Sequence, residues 1–372
     1  MSLTSIAGSG GKALGDRFNL VNVVPPAVFG AFVIGLVRSG AYTGSFQPRL
    51  AIPNLKEITT GGAVLFAFAV LLIGVVLAPF QVAVVRLLEG YWGSGRLARR
   101  LSDIGVELQR RRLAAADDAM RIAGAELLSL NADQSASLSE QFERRKRSVR
   151  IVANAERANR TAGHMPLAER LLPTSLGNNL RASEDSAGQQ YGLTTNVVYP
   201  RLRNFLSPRL DGALGNMLTQ LDTASALCVS FLMSAVASTP LLAYGWWALT
   251  PLLCLLLAAL AYQGAQTAAS FHGDLLATAF DLHRFDLMTG LHLDLPTDPA
   301  REKEDNIKLS SFLALRRTQN SGNAFPFDYS HAPTAQDPVL AIPVEEHVAP
   351  DQAQGTPDGP GAVAHDGDLG EA

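Results

Sequence analysis

The chain has 372 residues, of which 47% are apolar and only 17% charged, and its mean hydropathy is +0.12. An ordinary soluble domain carries about 25% charged residues, so this composition argues against a soluble enzyme and excludes a wholly disordered chain. The formal net charge of −3 also excludes a strongly basic nucleic-acid-binding protein, and we expect no nucleic acid among the partners.

The chain begins with two segments that differ in hydropathy. Residues 1–17 are rich in Gly and Ser, and we predict a flexible N-terminus. Residues 18–37 form a first apolar run that Pro25 and Pro26 interrupt. A helix that begins at Pro25 has about 14 apolar residues left, whereas a bilayer span needs roughly 20. The run therefore predicts either a complete span with a broken start or a re-entrant or interfacial helix.

Three further apolar runs are long enough to cross a bilayer. Residues 61–85 contain one polar side chain, Gln81, and residues 223–243 and 246–262 contain no charge. Only a very short turn separates the last two runs, so they predict a helical hairpin. Trp246 lies at its tip, where amphipathic rings favour the water–lipid boundary. We therefore predict an all-α integral membrane protein with about four transmembrane helices.

The distribution of Lys and Arg around these runs predicts the orientation. The 27 residues that follow the second run contain seven arginines, whereas the turn near Tyr244 contains no basic residue. The loop of residues 38–60 carries three basic residues and opposes this signal mildly. We expect residues 86–222 to lie in the cytoplasm, and four spans then place both termini there as well.

Residues 86–222 carry 20 basic and 15 acidic side chains and contain two long helical patterns. The first covers residues 94–130, and the second covers residues 132–160 with Asn131 as its N-cap. We predict an antiparallel helical hairpin that projects from the membrane. Its thin apolar stripes favour pairing with a second copy or with a partner. The basic run at residues 144–147 is interpreted as a solvated helix face rather than a lipid or nucleic-acid patch.

A polar helix face is predicted in residues 171–185, which have the sequence LLPTSLGNNLRASED. Thr174 is expected to cap this helix, and Gly177 is expected to allow close packing. Polar side chains then recur at spacings of three and four residues, and the simplest interpretation pairs Arg181 with an acid on the same face. The functional interpretation is a docking surface near the membrane. The candidate partner-binding residues are Asn178, Arg181, Glu184, Asp185, Tyr199 and Arg201.

Three sequence blocks lie between and after the predicted spans. They are EGYW at residues 89–92, the block that runs from residue 171 through YGL to YPRL at residue 202, and FDLHRF at residues 280–285. In this order they resemble the blocks of a group of uncharacterised multi-pass membrane proteins of actinobacteria, whose central pattern is LLPTxLGNxLRAxED…YGLD…WPRL. The resemblance covers roughly residues 18–315. It implies a multi-pass protein of the bacterial inner (plasma) membrane and no particular chemistry.

The chain departs from this pattern at two positions. Ser175 stands where the group has Arg, and Tyr199 stands where it has Trp. An anion-binding role through that arginine is therefore not expected here.

Histidine and aspartate side chains cluster after the fourth run, and such ligands suit zinc or iron. The cluster consists of His272, Asp274, Asp281, His283, Asp286, His292 and Asp294. No two of its histidines stand at i and i+4, so we favour structural pairs and no metal. The expected pairs are His283 with Asp286, and Arg284 with Asp281, on an amphipathic helix.

Asp298 is expected to cap a last helix that ends near Arg317. Residues 318–372 carry nine acids and no Lys or Arg, and we predict that this tail is disordered. In chain order, the predicted segments are a flexible N-terminus (1–17), transmembrane helices 1 and 2 (18–85), a cytoplasmic helical module (86–222), a transmembrane hairpin (223–264), cytoplasmic amphipathic helices (265–317) and a disordered acidic tail (318–372).

The sequence contains no phosphate-binding loop and no nucleophile elbow, so we expect neither a cofactor nor a catalytic residue. We predict a non-enzymatic membrane anchor or scaffold that contacts the lipid bilayer and recruits a cytoplasmic protein partner or a second copy of itself. One alternative is an oligomeric channel or membrane effector gated by the cytoplasmic module. Another is a membrane-bound metal-dependent hydrolase that uses His272, His283 and Asp286.

Overall fold

The computed structural model describes residues 24–51, 81–131, 138–314 and 326–330, together with isolated residues between 61 and 72. Within these residues the secondary structure is helical, and no strand occurs. The helices are α1 (Val24–Arg38), α2 (Gln81–Glu89), α3 (Arg96–Asn131), α4 (Leu138–Gly163), α5 (Ser175–Ser186), α6 (Thr195–Leu202), α7 (Pro208–Ala237), α8 (Thr250–Gly290) and α9 (Pro299–Ala314).

Two helical stretches in the described part of the chain are long and apolar enough to cross a membrane. They are Pro208–Ala237 and Gly245–Gly290, with mean hydropathies of 1.3 and 1.7. Only 28% and 17% of their apolar windows are buried, whereas the core helix of a soluble protein would be mostly buried. Leu252 and Leu253 of α8, for example, expose 63% and 55% of their surface. The low burial is what lipid-facing helices require, since hydrocarbon surrounds such side chains.

Helices α7 and α8 pack along each other as a hairpin. Two short 3₁₀ segments, Thr239–Ala243 and Gly245–Leu249, form its tip. The helices extend beyond the apolar runs, because α7 begins before Asp222 and α8 continues to Gly290. No Asp, Glu, Lys or Arg occurs between Asp222 and Asp274. The apolar part of this stretch, residues 223–262, is the part that we treat as membrane-spanning and call the uncharged segment.

The first two predicted spans are only partly described. Helix α1 has 15 residues, which corresponds to about 22 Å and is shorter than a complete span. Its end packs at the tip of the hairpin, where Leu36 meets Leu241 and the Tyr42 hydroxyl donates a hydrogen bond to the Ala237 carbonyl at 2.8 Å. Most of the second predicted span lies outside the described residues, as do the predicted N-terminus and nearly all of the acidic tail.

At the other end of the hairpin, helices α5, α6 and α9 pack on the charged continuation of α7 and α8. Phe280 and Leu287 of α8 are fully buried there against Leu202 of α6 and Leu214 of α7. The Thr174 hydroxyl accepts a hydrogen bond from the Gly177 amide at 3.1 Å, which confirms the predicted cap of α5. This apolar core holds the predicted polar face in place.

Helices α3 and α4 form the predicted antiparallel hairpin. Asn131 is the last described residue of α3, and the residues that it was predicted to cap, 132–137, lie outside the described part of the chain.

Candidate functional site

Asn178, the first of the candidate partner-binding residues, is fully buried. Its side chain accepts a hydrogen bond from the Leu172 amide at 2.6 Å and donates one to the Leu172 carbonyl at 3.0 Å. Both ends of the amide are therefore used to fix the segment that leads into α5. An unpaired amide would be costly at this position, so Asn178 serves the fold and is not available to a partner.

The two acids of the polar face have partners outside α5. Asp185 pairs with Arg170 at 2.7 Å, and Glu184 accepts a hydrogen bond from the Asn196 side chain at 3.2 Å. Among the described residues neither acid pairs with Arg181, so the predicted intrahelical ion pair is wrong. Neighbouring segments bring closer partners to these acids than the helix itself does.

The last two candidates lie on α6. Tyr199 packs against the apolar core, and its burial raises the pKa of its hydroxyl more than the nearby Arg203 lowers it. The Arg201 guanidinium donates a hydrogen bond to the Val197 carbonyl one turn earlier. The structure thus distributes the six predicted residues over two helices, and only Glu184 reaches the main polar cavity.

That cavity lies between α2, α5, α7 and α8, beside the end of the uncharged segment, and has a volume of about 680 Å³. Leucine and valine side chains form one part of its wall. Its polar lining consists of Arg86, Glu89, Tyr91, Ser183, Glu184, Asp222 and His272. We call it the junction cavity. Three carboxyl groups against one guanidinium give it an acidic character.

Three titratable groups of the junction cavity, Asp222, Glu89 and His272, have pKa values shifted toward their neutral forms. Burial raises the pKa of Asp222 to about 6. Burial also raises the pKa of Glu89, as does the neighbouring Glu184 carboxylate, while Arg86 lowers it. Burial lowers the pKa of His272, whose Nδ1 atom is buried and has no hydrogen-bonding partner among the described residues. Shifts of this kind concentrate at functional sites, although structural networks produce them too.

Sequence reasoning missed this cavity because its residues come from four distant segments. One feature of the sequence did point to a site at this place. Asp222 is the last charged residue before 51 residues without Asp, Glu, Lys or Arg, and Glu89 is the first acid after the second apolar run. Charged groups at the ends of apolar runs lie where the membrane meets water, and there they can meet across helices.

The histidine-rich stretch of α8 forms structural contacts. The predicted pair of His283 with Asp286 is confirmed at 2.7 Å. The Arg284 guanidinium pairs with Glu302 of α9 at 2.7 Å, and it reaches only the backbone carbonyl of the predicted partner Asp281.

In the part of the chain that the structure describes, no three His, Cys, Asp or Glu side chains lie close enough to hold a metal ion. His272 lies 11 residues before His283, about 16 Å along α8. His272 and His283, which the hydrolase alternative uses as ligands, are therefore too far apart to bind the same metal ion.

The α3–α4 hairpin presents the second surface of interest. Residues 113–131 and 138–160, which we call the arm, extend past the contacts that Arg112 and Gln109 make with Ser175 of α5. The buried apolar side chains of the arm are Ala116, Ala123, Ala158 and the larger Ile151. Several other large apolar side chains are exposed. They include Ile122, Leu128, Phe142 and Val149, whose exposed fractions are 56%, 74%, 60% and 62%.

Comparisons with family models, with curated proteins and with solved structures find no match to this chain. The resemblance to the actinobacterial membrane proteins therefore stays a prediction.

Proposed function

We propose that this protein is a non-enzymatic scaffold of the bacterial inner membrane that recruits a cytoplasmic protein or a second copy of itself through the arm. One observation carries the proposal: the arm buries only three alanines and Ile151, and it leaves Ile122, Leu128, Phe142, Val149 and Val152 exposed to solvent. Burial of a leucine or phenylalanine side chain is worth about 1.5–3 kcal/mol. A second protein surface that covers these side chains would gain that energy.

The positions of the segments on either side of residues 52–80 support a four-span topology. Ala51 approaches Gly35 near the tip of the hairpin. Glu89 approaches Gly177 at the opposite end, where Leu176 packs on Leu221. Leu221 and Ala237 are separated along α7 by about 24 Å, most of the thickness of a bilayer core. Residue 51 lies at the tip and residue 89 lies at the opposite end. The two residues are therefore separated by this length of the hairpin.

The charge distribution supports a cytoplasmic location for the arm. Arg86 and the arginines of α3 lie at the end of the hairpin opposite the tip, and positive charge is enriched on the cytoplasmic side of bacterial membrane proteins. With four spans, both termini are cytoplasmic. The partner surface is assigned to the arm rather than to the polar face of α5, because Asn178, Glu184 and Asp185 of that face already have partners within the fold.

Co-purification of the full-length protein in a mild detergent tests this function. The test variant carries Ile122→Ser, Leu128→Ser and Phe142→Ser, and the control carries Leu167→Ser, an equally exposed leucine (72%) outside the arm. We expect the wild type and the control to retain a stoichiometric protein partner or to cross-link as oligomers, and the arm variant to lose both with unchanged helical content. A wild-type protein that binds nothing, itself included, contradicts the scaffold. Binding that survives in the arm variant contradicts the role of the arm.

A further inference from the structure

The first three turns of α3 carry an apolar stripe that no other described part of the chain covers. Leu97, Leu101, Ile104 and Leu108 follow one another at spacings of four, three and four residues, which places them on one helix face. Their exposed fractions are 72%, 48%, 59% and 55%. This stripe is separate from the arm, because it precedes the contacts that attach α3 to α5.

The stripe flanks the face of α3 that contacts the body of the protein. Gly105 lies so close to Pro173 that a Cβ atom there would overlap the proline, and the Gln109 side chain donates a hydrogen bond to the Ser175 hydroxyl at 3.3 Å. These two residues therefore mark the protein-facing side of the helix, next to the stripe. Arg96 and Arg100 border the stripe on its other side, as does Arg111, whose guanidinium pairs with Glu107 at 2.9 Å.

The same contacts fix the level of the stripe relative to the membrane-spanning segment. Pro173 lies just before Leu176, whose amide donates a hydrogen bond to the Tyr262 hydroxyl at 3.0 Å. Tyr262 is the last residue of the uncharged segment, so Pro173 lies at the boundary of that segment. Gly90, directly after α2, also lies against Pro173. The chain therefore leaves this boundary at residue 90 and returns to it at residue 105, within the first turns of α3.

We propose that residues 96–108 bind the surface of an anionic lipid bilayer, with the leucine–isoleucine stripe at the acyl boundary and the arginines among the headgroups. The inference rests on the proposed membrane location, and it assigns lipid to a surface that the scaffold function leaves unused. Amphipathic helices with basic residues beside an apolar face bind membranes in this way. Arginines next to a membrane-spanning segment are attracted to anionic headgroups.

The aromatic residues before α3 agree with this assignment. Tyr91 exposes 51% of its surface, and the Trp92 indole donates a hydrogen bond to the Leu87 carbonyl at 2.8 Å. Tyrosine and tryptophan are enriched at the level of the headgroups. A protein partner at this surface would need to fit between the bilayer and the stripe, whereas lipid is already adjacent.

Depth-dependent fluorescence quenching of the full-length protein tests the proposal. Cys228 and Cys254 are the free cysteines of the described residues, and Cys228→Ala with Cys254→Ala gives a background for single labels. An environment-sensitive fluorophore is attached at Leu101→Cys in the stripe, at Arg110→Cys on the opposite face, or at Leu253→Cys in the uncharged segment. The protein is reconstituted in vesicles that contain phosphatidylglycerol and a lipid with a nitroxide near the headgroup end of its acyl chain.

We expect strong quenching of the label at residue 101 and little at residue 110. Replacement of Arg96 and Arg100 by Gln is expected to reduce the quenching at 101. Quenching at residue 253 but not at 101 overturns this inference and leaves the membrane location intact. If neither label is quenched, the membrane location fails as well. Cross-linking of Leu101→Cys between copies, without quenching, overturns the lipid assignment in favour of self-association.

Discussion

At the scale of single residues, small side chains decide where the helices approach each other. A Cβ atom at Gly177 would overlap the Glu89 carbonyl oxygen, and one at Gly273 would overlap the Ser183 hydroxyl. The first contact joins α2 to α5, and the second joins α5 to α8. Both lie beside the junction cavity, so its shape depends on positions that have no side chain.

Gly177→Ala is expected to destabilise the protein, because the Glu89 backbone cannot move aside as a flexible side chain could. Overpacking of this kind costs about 1–3 kcal/mol. The matched control is Gly124→Ala in the arm, where a Cβ atom meets nothing within 4 Å. Removal of a helical glycine there stabilises by up to about 1 kcal/mol. Thermal unfolding in detergent, followed by circular dichroism, compares the two, and an equal midpoint for both variants would contradict the tight contact.

Asp222 predicts a pH dependence of stability. Its pKa is about 6 in the folded protein because of burial, against an ordinary value of 3.8. The folded state therefore binds more protons than the unfolded state between about pH 4 and pH 6, and its stability falls as pH rises through that range. The shift corresponds to about 3 kcal/mol before screening. Partial exposure of the carboxyl to water reduces the effect to about 1–2 kcal/mol.

Asp222→Asn is expected to remove most of this slope and to stabilise the protein above pH 6. The exposed Asp274 of α8 provides the control, Asp274→Asn. Unfolding midpoints measured in detergent from pH 4 to pH 7 check the prediction. An unchanged slope in Asp222→Asn would assign the pH dependence to another group, of which Glu89 is the nearest candidate.

Local pairs were predictable from the sequence, and distant ones were not. The cap at Thr174 and the pair of His283 with Asp286 involve residues three positions apart, which every helix brings together. The pairs of Asp185 with Arg170 and of Arg284 with Glu302 join residues 15 and 18 positions apart in different elements. Such pairs form only when the elements pack against each other. For this reason one acid of the predicted polar face, Asp185, pairs with Arg170 and not within its own helix.

At the scale of elements, a buried ion pair fastens α9 to α8. The Arg284 and Glu302 side chains are only 18% and 10% exposed and lie 2.7 Å apart. The Arg284 guanidinium also stacks 4.1 Å from the centre of the Tyr191 ring. In addition, the Asn306 side chain donates a hydrogen bond to the Tyr191 carbonyl at 2.9 Å. Helix α9 thus depends on polar contacts as well as on the burial of Leu309.

Removal of one partner, as in Glu302→Gln, is expected to loosen α9, because the Arg284 charge then lacks its counter-ion. Loss of one member of a buried pair costs about 3–5 kcal/mol, and the remaining exposure makes the lower end the better expectation here. Hydrogen exchange of the α9 amides measures the loss locally. The double variant Arg284→Met with Glu302→Met should recover much of the protection. Equal protection in the wild type and in Glu302→Gln would show that the pair is not needed.

Helix periodicity predicted α3 and α4 well, whereas the bounds of α7 and α8 were not predictable from the apolar runs. A hydropathy criterion finds only the segment that lipid can surround. Beyond Tyr262 the helix continues with small residues, including Ala265, Ala269 and Gly273, which pack against α5 and α7. The part of α8 beyond Tyr262 depends on these contacts with α5 and α7, and the sequence of α8 alone does not reveal them.

At the scale of the whole molecule, the hairpin separates two ends with different surfaces. At the tip, the centre of the Phe46 ring lies 4.9 Å from that of Tyr244 and 5.6 Å from that of Trp247. The opposite end holds the junction cavity, the arginines of α3 and the arm. Arg38 and Arg49 lie near the tip, whereas Arg86 and the more numerous arginines of α3 lie at the opposite end. Aromatic residues at one end and an excess of arginine at the other are typical of a protein that is oriented in a membrane.

This asymmetry predicts which residues a membrane-impermeant thiol reagent reaches in spheroplasts. In the background without Cys228 and Cys254, Leu50→Cys near the tip end should be labelled from outside. Leu128→Cys in the arm should be labelled only after the membrane is permeabilised. The two leucines are 49% and 74% exposed, so the more accessible side chain is the one expected to be protected. Labelling of Leu128→Cys in intact spheroplasts would reverse the orientation, and the recruited partner would then have to lie outside the cell.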